Sequence, residues 1–431
     1  MSTIKKKQVQ IVLFLYLTMI AGLLVGEDLL GAAKADYGTI LSRLNVYRED
    51  FNYFFKNYTE LDLRHSPVFQ IFHIIILNLF ENDLFFRIIN LHLNLIIIII
   101  FYLSLKIQLV DFLKKDLVII SSIFFLIPTF RAYSIWPDSF LCGFLFFMFS
   151  IYFFLKFINS KNNKSCFAYL NIISLAISSY LSPNFFTFSF FYLFIFFQHF
   201  NLSKNLLKII LLNIFLSLPA IYYIFIMGNN FIDFDGDIWI QNINTISMTN
   251  LANKIIILPT IFFIYFFPFL IINFKNIKKN FFSEIKKLNI FHYFLIIFPL
   301  LMLRYFSYSE INSVLGGGGL FYNLLKFFNY YELILSLLSS ISILIILLLT
   351  NNSLKSKIFL ICLILSSPQL TIYASYFDLV LFISIFLIMN DGLLKIDNLF
   401  NKVKIIKIFF LYYFLILILY IFKNQYYSMM Q

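Results

Sequence analysis

Residues 27–67 read EDLLGAAKADYGTILSRLNVYREDFNYFFKNYTELDLRHSP, the one long polar stretch before a nearly unbroken series of apolar runs. Hydrophobic residues make up 61% of the 431 residues, whereas charged residues make up only 13%. A soluble chain of this length could not bury so much apolar surface. The composition therefore predicts an all-α, polytopic integral membrane protein, organised around this polar stretch.

Outside this stretch, the apolar runs predict about thirteen membrane-spanning helices in one transmembrane domain that covers residues 1–431. The predicted helices lie at residues 9–26, 84–105, 117–135, 139–158, 166–181, 184–200, 206–227, 255–273, 289–306, 331–350, 358–374, 375–390 and 405–422. The run at residues 68–80 is only ~13 residues long, whereas a span needs ~20, so we expect an interfacial helix there. That helix belongs to a predicted first external loop, residues 27–83, with amphipathic helices. Further external loops are expected at residues 228–253 and 307–330.

Lysines cluster at alternate ends of the predicted spans, beginning with Lys5, Lys6 and Lys7 before the first span. Because cytoplasmic loops carry the excess of basic residues, this pattern predicts a cytoplasmic N-terminus. The net charge of +12 is spread through short loops, which favours membrane lipids over nucleic acid as the partner. The composition favours a bacterial inner membrane as the location.

The arginines are distributed differently from the lysines. All of them fall on the predicted outer side or near the outer ends of spans: Arg43, Arg48, Arg64, Arg87, Arg131 and Arg304. A guanidinium group recognises phosphate through two parallel hydrogen bonds, so a lipid phosphate on the outer face is an expected ligand. We therefore count Arg87, Arg131 and Arg304 as substrate-binding residues. Pairing of these arginines with nearby acids is the alternative.

Two acidic residues are placed at the same membrane face by the predicted topology. Asp36 follows the first span by about ten residues, and Asp138 lies at the outer mouth between the third and fourth spans. A carboxylate just outside the membrane can take a proton from an incoming hydroxyl group. Because Asp138 precedes a predicted helix, helix capping is the alternative interpretation for that residue.

These acids belong to a series of short motifs in a fixed order along the chain. After the first span come Asp36-Tyr37, Arg64-His65-Ser66-Pro67, an apolar segment, Arg87 at the second span and Asp138 after the third. This order resembles the GT-C superfamily of polyprenyl-phosphate-sugar-dependent glycosyltransferases. It is most similar to the branch with protein O-mannosyltransferases and the lipid A aminoarabinose transferase. The resemblance covers roughly residues 5–200 and implies a GT-C-like fold.

The resemblance also implies roles for individual residues. Asp36 would be the catalytic base, and Asp138 the second acid, near the donor phosphate. His65 and Pro67 would form the positioning motif, and Arg87, which enters the second span, would be the structural arginine.

The chain departs from the family pattern at three places. Tyr37 stands where the family often has glutamate, although we still count it as a substrate-binding residue. Ser66 replaces the first proline of a Pro-Pro pair, and Ser182-Pro183-Asn184 stands where a lysine often occurs. These departures concern the contacts to the donor phosphate more than the base.

Asp378 lies within an apolar run, and an ionisable group in a span usually faces a cavity or a partner. Together with Tyr373 and Tyr376, it is expected to line the cavity that receives the lipid-linked donor. A structural salt bridge to Arg304 is the alternative. The four glycines at residues 316–319 are interpreted as a phosphate-binding nest, a lid or a flexible connector.

The predicted loop at residues 228–253 contains an alternating acidic run, Asp233, Asp235 and Asp237. We interpret this run as a solvated turn, because no bidentate glutamate follows at the spacing of a calcium loop. The five histidines are scattered along the chain, so no metal site is predicted. A divalent metal ion is left open as a cofactor.

The sequence thus predicts an inverting glycosyltransferase that acts at the outer membrane face. It would move a sugar from a polyprenyl-phosphate donor to a hydroxyl group of a lipid, glycan or protein acceptor. A transporter or flippase of lipid-linked glycans is one alternative, but it needs polar residues along a mid-membrane path. A polymerase is another, and it should concentrate function in a large late loop. The acids and arginines instead gather at the outer face, and the longest polar loop is the first.

Overall fold

The computed structural model describes residues 3–50, 67–79, 82–110, 112–160, 165–221, 248–286, 288–308, 317–350, 353–366, 371–389 and 402–430. Every regular element within these ranges is a helix, and no strand occurs in them. Seven of the described helices are long and apolar enough to cross a membrane, or eight if one bent pair counts as a span. The prediction of an all-helical protein with membrane-spanning helices is confirmed, whereas the count of about thirteen stays a prediction.

The α-helices are numbered in chain order. They are α1 Thr3–Val25, α2 Ala33–Glu49, α3 Pro67–Leu79, α4 Asp83–Gln108, α5 Lys114–Ser122, α6 Pro128–Ile135, α7 Ser139–Asn159, α8 Ser165–Leu181, α9 Phe188–Phe200, α10 Lys204–Ile221, α11 Met248–Ile285, α12 Ile290–Leu301, α13 Gly319–Leu325, α14 Tyr331–Leu349, α15 Leu354–Leu365, α16 Asp378–Leu387 and α17 Lys402–Met430. Short 3-10 helices occur at Ile123–Leu126, Pro183–Phe185, Met302–Tyr305 and Ala374–Tyr376. The chain divides into two compact units. The first is Met1–Gly228 with Phe400–Gln431, and the second is Asn229–Leu399.

One predicted helix, at residues 117–135, is wrong as a continuous element. It is divided into α5, a 3-10 turn and α6, and the two halves are bent by 67°. Ile127 is extended, with φ −80° and ψ 118°, and Pro128 occupies the first turn of α6. Proline has no N–H group and disfavours helical geometry in the residue before it, so the apolar run breaks at this point.

The prediction of a helix at residues 358–374 is also corrected. The helix α15 ends at Leu365, and Tyr373 has an extended backbone with φ −90° and ψ 129°. Pro368 follows shortly after the helix and lacks the N–H group that a continuing helix requires. The apolar composition therefore overestimated the length of this helix.

The core of the first unit is dominated by aromatic side chains. Neighbouring rings have centroids 4.8 to 6.4 Å apart among Phe140, Phe144, Phe147, Phe185 and Phe188. Gly143 permits close packing of α7 and α8, since the Ser178 hydroxyl donates to the Gly143 carbonyl oxygen at 2.8 Å. This core anchors the helix that begins directly after Asp138.

The last helix, α17, packs into the first unit although it follows the second unit in sequence. Its buried side chains recur at helical spacing: Ile406, Phe409, Tyr413 and Leu417. It contacts α5, α6 and the 3-10 turn between them. The C-terminal end of the chain therefore supports the broken helix.

Within the second unit, α11 packs against α14 and α16. The Ser339 hydroxyl donates to the Ile255 carbonyl oxygen at 3.1 Å. The Asn253 side chain donates to Ser307 O at 3.0 Å and accepts from Ser307 N at 3.1 Å. This reciprocal pair fixes the chain after the 3-10 turn that follows α12.

Candidate functional site

The turn between α1 and α2 is built around Asp28. Its carboxylate accepts hydrogen bonds from the backbone N–H of Gly31 at 2.9 Å and of Lys34 at 3.0 Å. Gly31 adopts φ 82°, a left-handed conformation that glycine reaches without a steric cost. Asp28 therefore closes the turn and satisfies the N–H group of Lys34 in the first turn of α2.

The helix α2 has one buried face, as expected for an amphipathic helix. The side chains of Ala33, Tyr37, Ile40 and Leu44 are buried, and they recur every three or four residues. Asp36 lies in the first turn and is exposed. Asp36, the predicted base, is therefore on the exposed face of α2, whereas the adjacent Tyr37 is on its buried face.

Tyr37 links the external helix α2 to the start of α4. Its hydroxyl donates to the Asp83 carboxylate, and its ring stacks on Phe86 with centroids 6.2 Å apart. Burial, followed by the bond to Asp83, raises the pKa of Tyr37, so its hydroxyl stays protonated and remains a donor. Tyr37 is therefore an anchor for α2 in this structure.

Arg87 lies in the first turns of α4 and is only 8% exposed. Its guanidinium carbon is 3.7 Å from the centroid of the Trp136 ring, which is the geometry of a cation–π contact. Its Nε donates to the Ile135 carbonyl oxygen at 3.0 Å. These contacts fix the C-terminal end of α6 against α4, next to Asp138.

Arg131 pairs with Glu27, which the sequence analysis did not select. The guanidinium Nε and Nη2 each donate to one Glu27 carboxylate oxygen at 2.7 Å. The remaining donors of Arg131 reach Thr18 and the Phe125 carbonyl oxygen. All five N–H groups therefore have acceptors within the protein, and Arg131 holds α1 against the broken helix.

Trp136 connects this ion pair to the predicted acids. Its indole N–H donates to the Glu27 carbonyl oxygen at 2.9 Å, and its ring lies 5.8 Å from that of Tyr37. Trp136 is two residues before Asp138 and is buried. The sequence analysis did not predict that Trp136 is a buried contact residue. The signal was a tryptophan followed by a proline and an acid at the start of a helix.

Asp138 is the N-cap of α7, so the helix-capping interpretation describes its place in the structure. Its carboxylate accepts from the Phe140 N–H at 2.7 Å. Burial raises the pKa of Asp138 to about 7, against the lowering effect of the Phe140 hydrogen bond, and the negative charge of Asp36 raises it further. The tertiary structure thus brings Asp36 and Asp138 within electrostatic range of each other, across 102 positions in sequence.

The motif before α3 is described only in part. His65 lies outside the described residues, whereas Pro67 is the first residue of α3. His73 in the same helix is buried, and burial lowers its pKa to about 4. Its Nδ1 is 2.8 Å from the Phe69 carbonyl oxygen, and its ring meets Phe86 edge-on at 5.2 Å. His73 is therefore a structural residue.

The predicted residues of the second unit are Arg304, Tyr373, Tyr376 and Asp378. Asp378 is buried at the first position of α16, and its carboxylate accepts from the Leu379 N–H at 2.6 Å. The rings of Tyr373 and Tyr376 pack edge to face with centroids 5.9 Å apart. Arg304 is exposed in the 3-10 turn after α12.

The glycine-rich segment is described from residue 317 onward. The Gly318 N–H donates to the Ile372 carbonyl oxygen at 2.8 Å, and Asn323 donates to the carbonyl oxygens of Gly317 and Gly319. The Gly318 amide is thus used within the protein, which favours the interpretation as a connector over that as a phosphate nest. The acidic run of residues 233–237 lies outside the described residues.

Within the described ranges, no group of three or more His, Cys, Asp or Glu side chains is arranged to hold a metal ion. The candidate site of the first unit instead consists of Asp36 and Asp138, which influence each other electrostatically, and of the contact between Arg87 and Trp136. Comparison of the chain with protein-family models, with curated proteins and with solved structures gave no match. Its helices define the chain as a member of the broad class of α-helical membrane proteins.

Proposed function

We propose that this protein is a glycosyltransferase that uses a polyprenyl-phosphate-linked sugar as its donor. It transfers the sugar, with inversion, to a hydroxyl group of a lipid, glycan or protein acceptor. The reaction takes place at the outer face of a bacterial inner membrane, with the N-terminus in the cytoplasm. A GT-C-like arrangement of about thirteen spans is part of the same proposal.

The observation that carries this proposal is the pair formed by Asp36 and Asp138. The two carboxylates influence each other, but Asp36 is exposed on α2 and Asp138 is half-buried at the start of α7. Different environments separate the pKa values of two acids and so divide their roles in acid–base chemistry. The exposed Asp36 removes the proton of the acceptor hydroxyl, which then attacks the anomeric carbon as the lipid phosphate leaves.

The neighbouring groups suit a reaction in which a phosphate departs. Asp138, whose pKa is near 7, can hold a proton close to the leaving group at neutral pH. Arg87 is buried beside Trp136 and places a fixed positive charge on the same corner of the unit. A preorganised charge in a water-poor site stabilises developing negative charge more than the same charge in water.

The test is sugar release from a radiolabelled polyprenyl-phosphate donor by the purified protein, with Asp36→Asn against wild type. The matched control is Glu49→Gln, which removes one negative charge from the other end of α2, about 20 Å away at 1.5 Å per residue. We expect Asp36→Asn to lose turnover by at least about a hundredfold and Glu49→Gln to keep it. Equal turnover in all three proteins would exclude Asp36 as the base.

Transport of a lipid-linked glycan is a second candidate, and the broken helix favours it. Transporters often place half-helices at their substrate sites, and α5 and α6 are two halves bent by 67°. Proteoliposomes with a fluorescent lipid-linked sugar distinguish the two functions. An enzyme consumes the donor on the side of addition, whereas a flippase moves it intact to the other leaflet.

A further inference from the structure

A second pair of titratable groups lies in the other unit, Asn229–Leu399. It joins the start of α12 to the start of α15 through a contact between the Nε2 of His292 and the Nζ of Lys357. His292 is buried, and Lys357 is half-buried and reachable from solvent. Neither residue belongs to the proposed glycosyl-transfer site.

The capping interaction of α12 fixes the proton on the His292 ring. The Asn289 side-chain oxygen accepts from the His292 backbone N–H at 3.2 Å, and the Asn289 backbone N–H donates to Nδ1 at 3.1 Å. Nδ1 is therefore an acceptor and carries no proton. A neutral imidazole has one N–H group, so its proton is on Nε2.

This tautomer determines the state of the lysine. The Nε2–H group points at Lys357 Nζ, and two N–H groups cannot donate to each other. Lys357 must therefore accept this hydrogen bond with a lone pair, which only the neutral amine possesses. Burial also lowers the pKa of Lys357, in the direction that this arrangement requires.

We infer that Lys357 is a neutral, nucleophilic amine and a site of acylation by acyl thioesters. When the Nε2–H hydrogen bond opens, the freed nitrogen lone pair attacks the thioester carbonyl carbon, a C–N bond forms and the C–S bond breaks. The amine proton passes to the departing thiolate, which leaves as a thiol, so no oxidant or reductant is needed. On the predicted topology, this end of the second unit faces the cytoplasm, together with Lys286 and Lys355 along the same stretches of chain.

Acylation would change the contact between His292 and Lys357 that joins α12 to α15. The amide product has no basic nitrogen, so it cannot accept the Nε2–H bond as the amine does. The side chain also becomes longer and permanently uncharged. Modification of Lys357 would thus loosen the connection between the two helix starts without touching the acids of the first unit.

The test measures site-resolved acetylation of the intact purified protein by an acetyl thioester, with mass spectrometry as the readout. Lys286, which is exposed, is the internal control. At pH 7.5 we expect Lys357 to react severalfold faster, because burial lowers its pKa and so raises its neutral fraction. The Lys357 rate should also level off at a lower pH than the Lys286 rate.

Two variants separate the hydrogen-bond arrangement from simple exposure. His292→Phe removes the Nε2–H group, and Asn289→Ala removes the side-chain half of the cap that orients the ring. We expect both to bring the Lys357 rate closer to that of Lys286. A Lys357 rate equal to that of Lys286 in the wild type, or an unchanged rate in His292→Phe, would overturn the assignment. The wild-type comparison stands even if a variant fails to fold.

Discussion

Glu27 and Arg131 are 104 positions apart in sequence and form a bidentate ion pair with both N–O distances at 2.7 Å. The Arg131 side chain is 5% exposed and that of Glu27 is 20% exposed. The pair closes the gap between the end of α1 and the broken helix, where backbone carbonyls lack helical partners. The Glu27 carbonyl oxygen also accepts a hydrogen bond from the Trp136 indole N–H, and Trp136 is two residues before Asp138.

Gly22→Ala should destabilise the protein by disturbing this pair. A Cβ at Gly22 would lie 2.4 Å from a Glu27 carboxylate oxygen, which Arg131 holds in place. The matched control is Gly38→Ala in α2, where a Cβ would meet nothing within 4 Å. We expect the control to stabilise by up to about 1 kcal/mol, because alanine favours a helix interior over glycine.

The two glycine variants are compared by thermal unfolding in the same detergent or nanodisc. The Gly22 variant should melt below wild type and the Gly38 variant at or above it. If both shift in the same direction by the same amount, the contact between residue 22 and the ion pair is not significant for stability.

Removing only one partner of the pair should cost more than removing both. Glu27→Gln leaves the buried Arg131 charge without its counterion, and we expect a loss of about 3–5 kcal/mol. Replacing both residues by methionine removes that unpaired charge as well. A double-mutant cycle built from Glu27→Met, Arg131→Met and the double variant should give a coupling of about 0.5–3 kcal/mol in the free energy of unfolding. Strictly additive effects would contradict the pairing.

The free energy of unfolding should fall as the pH rises through the range in which Asp138 titrates. Burial raises its pKa in the folded state to about 7, whereas the ordinary value is 3.8. Between these values the folded state keeps a proton that the unfolded state has lost, so unfolding becomes more favourable as the pH rises. This contribution is complete below pH 3.8 and is lost as the pH passes about 7.

Asp138→Asn tests this dependence without removing the cap, because asparagine caps helices about as well as aspartate. Its unfolding temperature should vary less between pH 5 and pH 8 than that of wild type. The same pH slope in both proteins would assign the dependence to other groups. Asp138→Ala serves as a second comparison, since it loses both the cap and the titration.

The helix α17 should be necessary for the stability of the first unit. Phe409 is 2% exposed, and its truncation to alanine should cost about 3–5 kcal/mol, as for large buried side chains. Leu411, on the same helix, is 57% exposed and provides the control. Thermal unfolding of Phe409→Ala and Leu411→Ala checks this difference, and equal shifts would show that α17 does not pack as described.

Much of the fold could be predicted from composition and spacing. The apolar runs indicated most of the described helices, since burial of a helical backbone in lipid requires long uninterrupted apolar segments. The short helix α3 also followed from length alone. The errors at residues 117–135 and 358–374 share one cause. Hydropathy measures the apolar character of a segment, whereas proline acts on backbone geometry.

The candidate site was predicted only in part. Asp36 and Asp138 were selected because they follow spans on one predicted face, and the tertiary structure places them within electrostatic range. Glu27 was not selected from the sequence, yet it pairs with Arg131. An ion pair across 104 positions leaves no trace in local spacing, so no pattern in the chain could have assigned it.

The sequence by itself determined that this protein is helical and suited to a membrane, because helix length and side-chain hydrophobicity are local properties of the chain. It also determined where the acids and arginines occur. Only the tertiary structure decided which of these charges are bound to each other and which face solvent. The physical reason is that a charge acts through its distance to other charges and its exposure to water, and folding sets both.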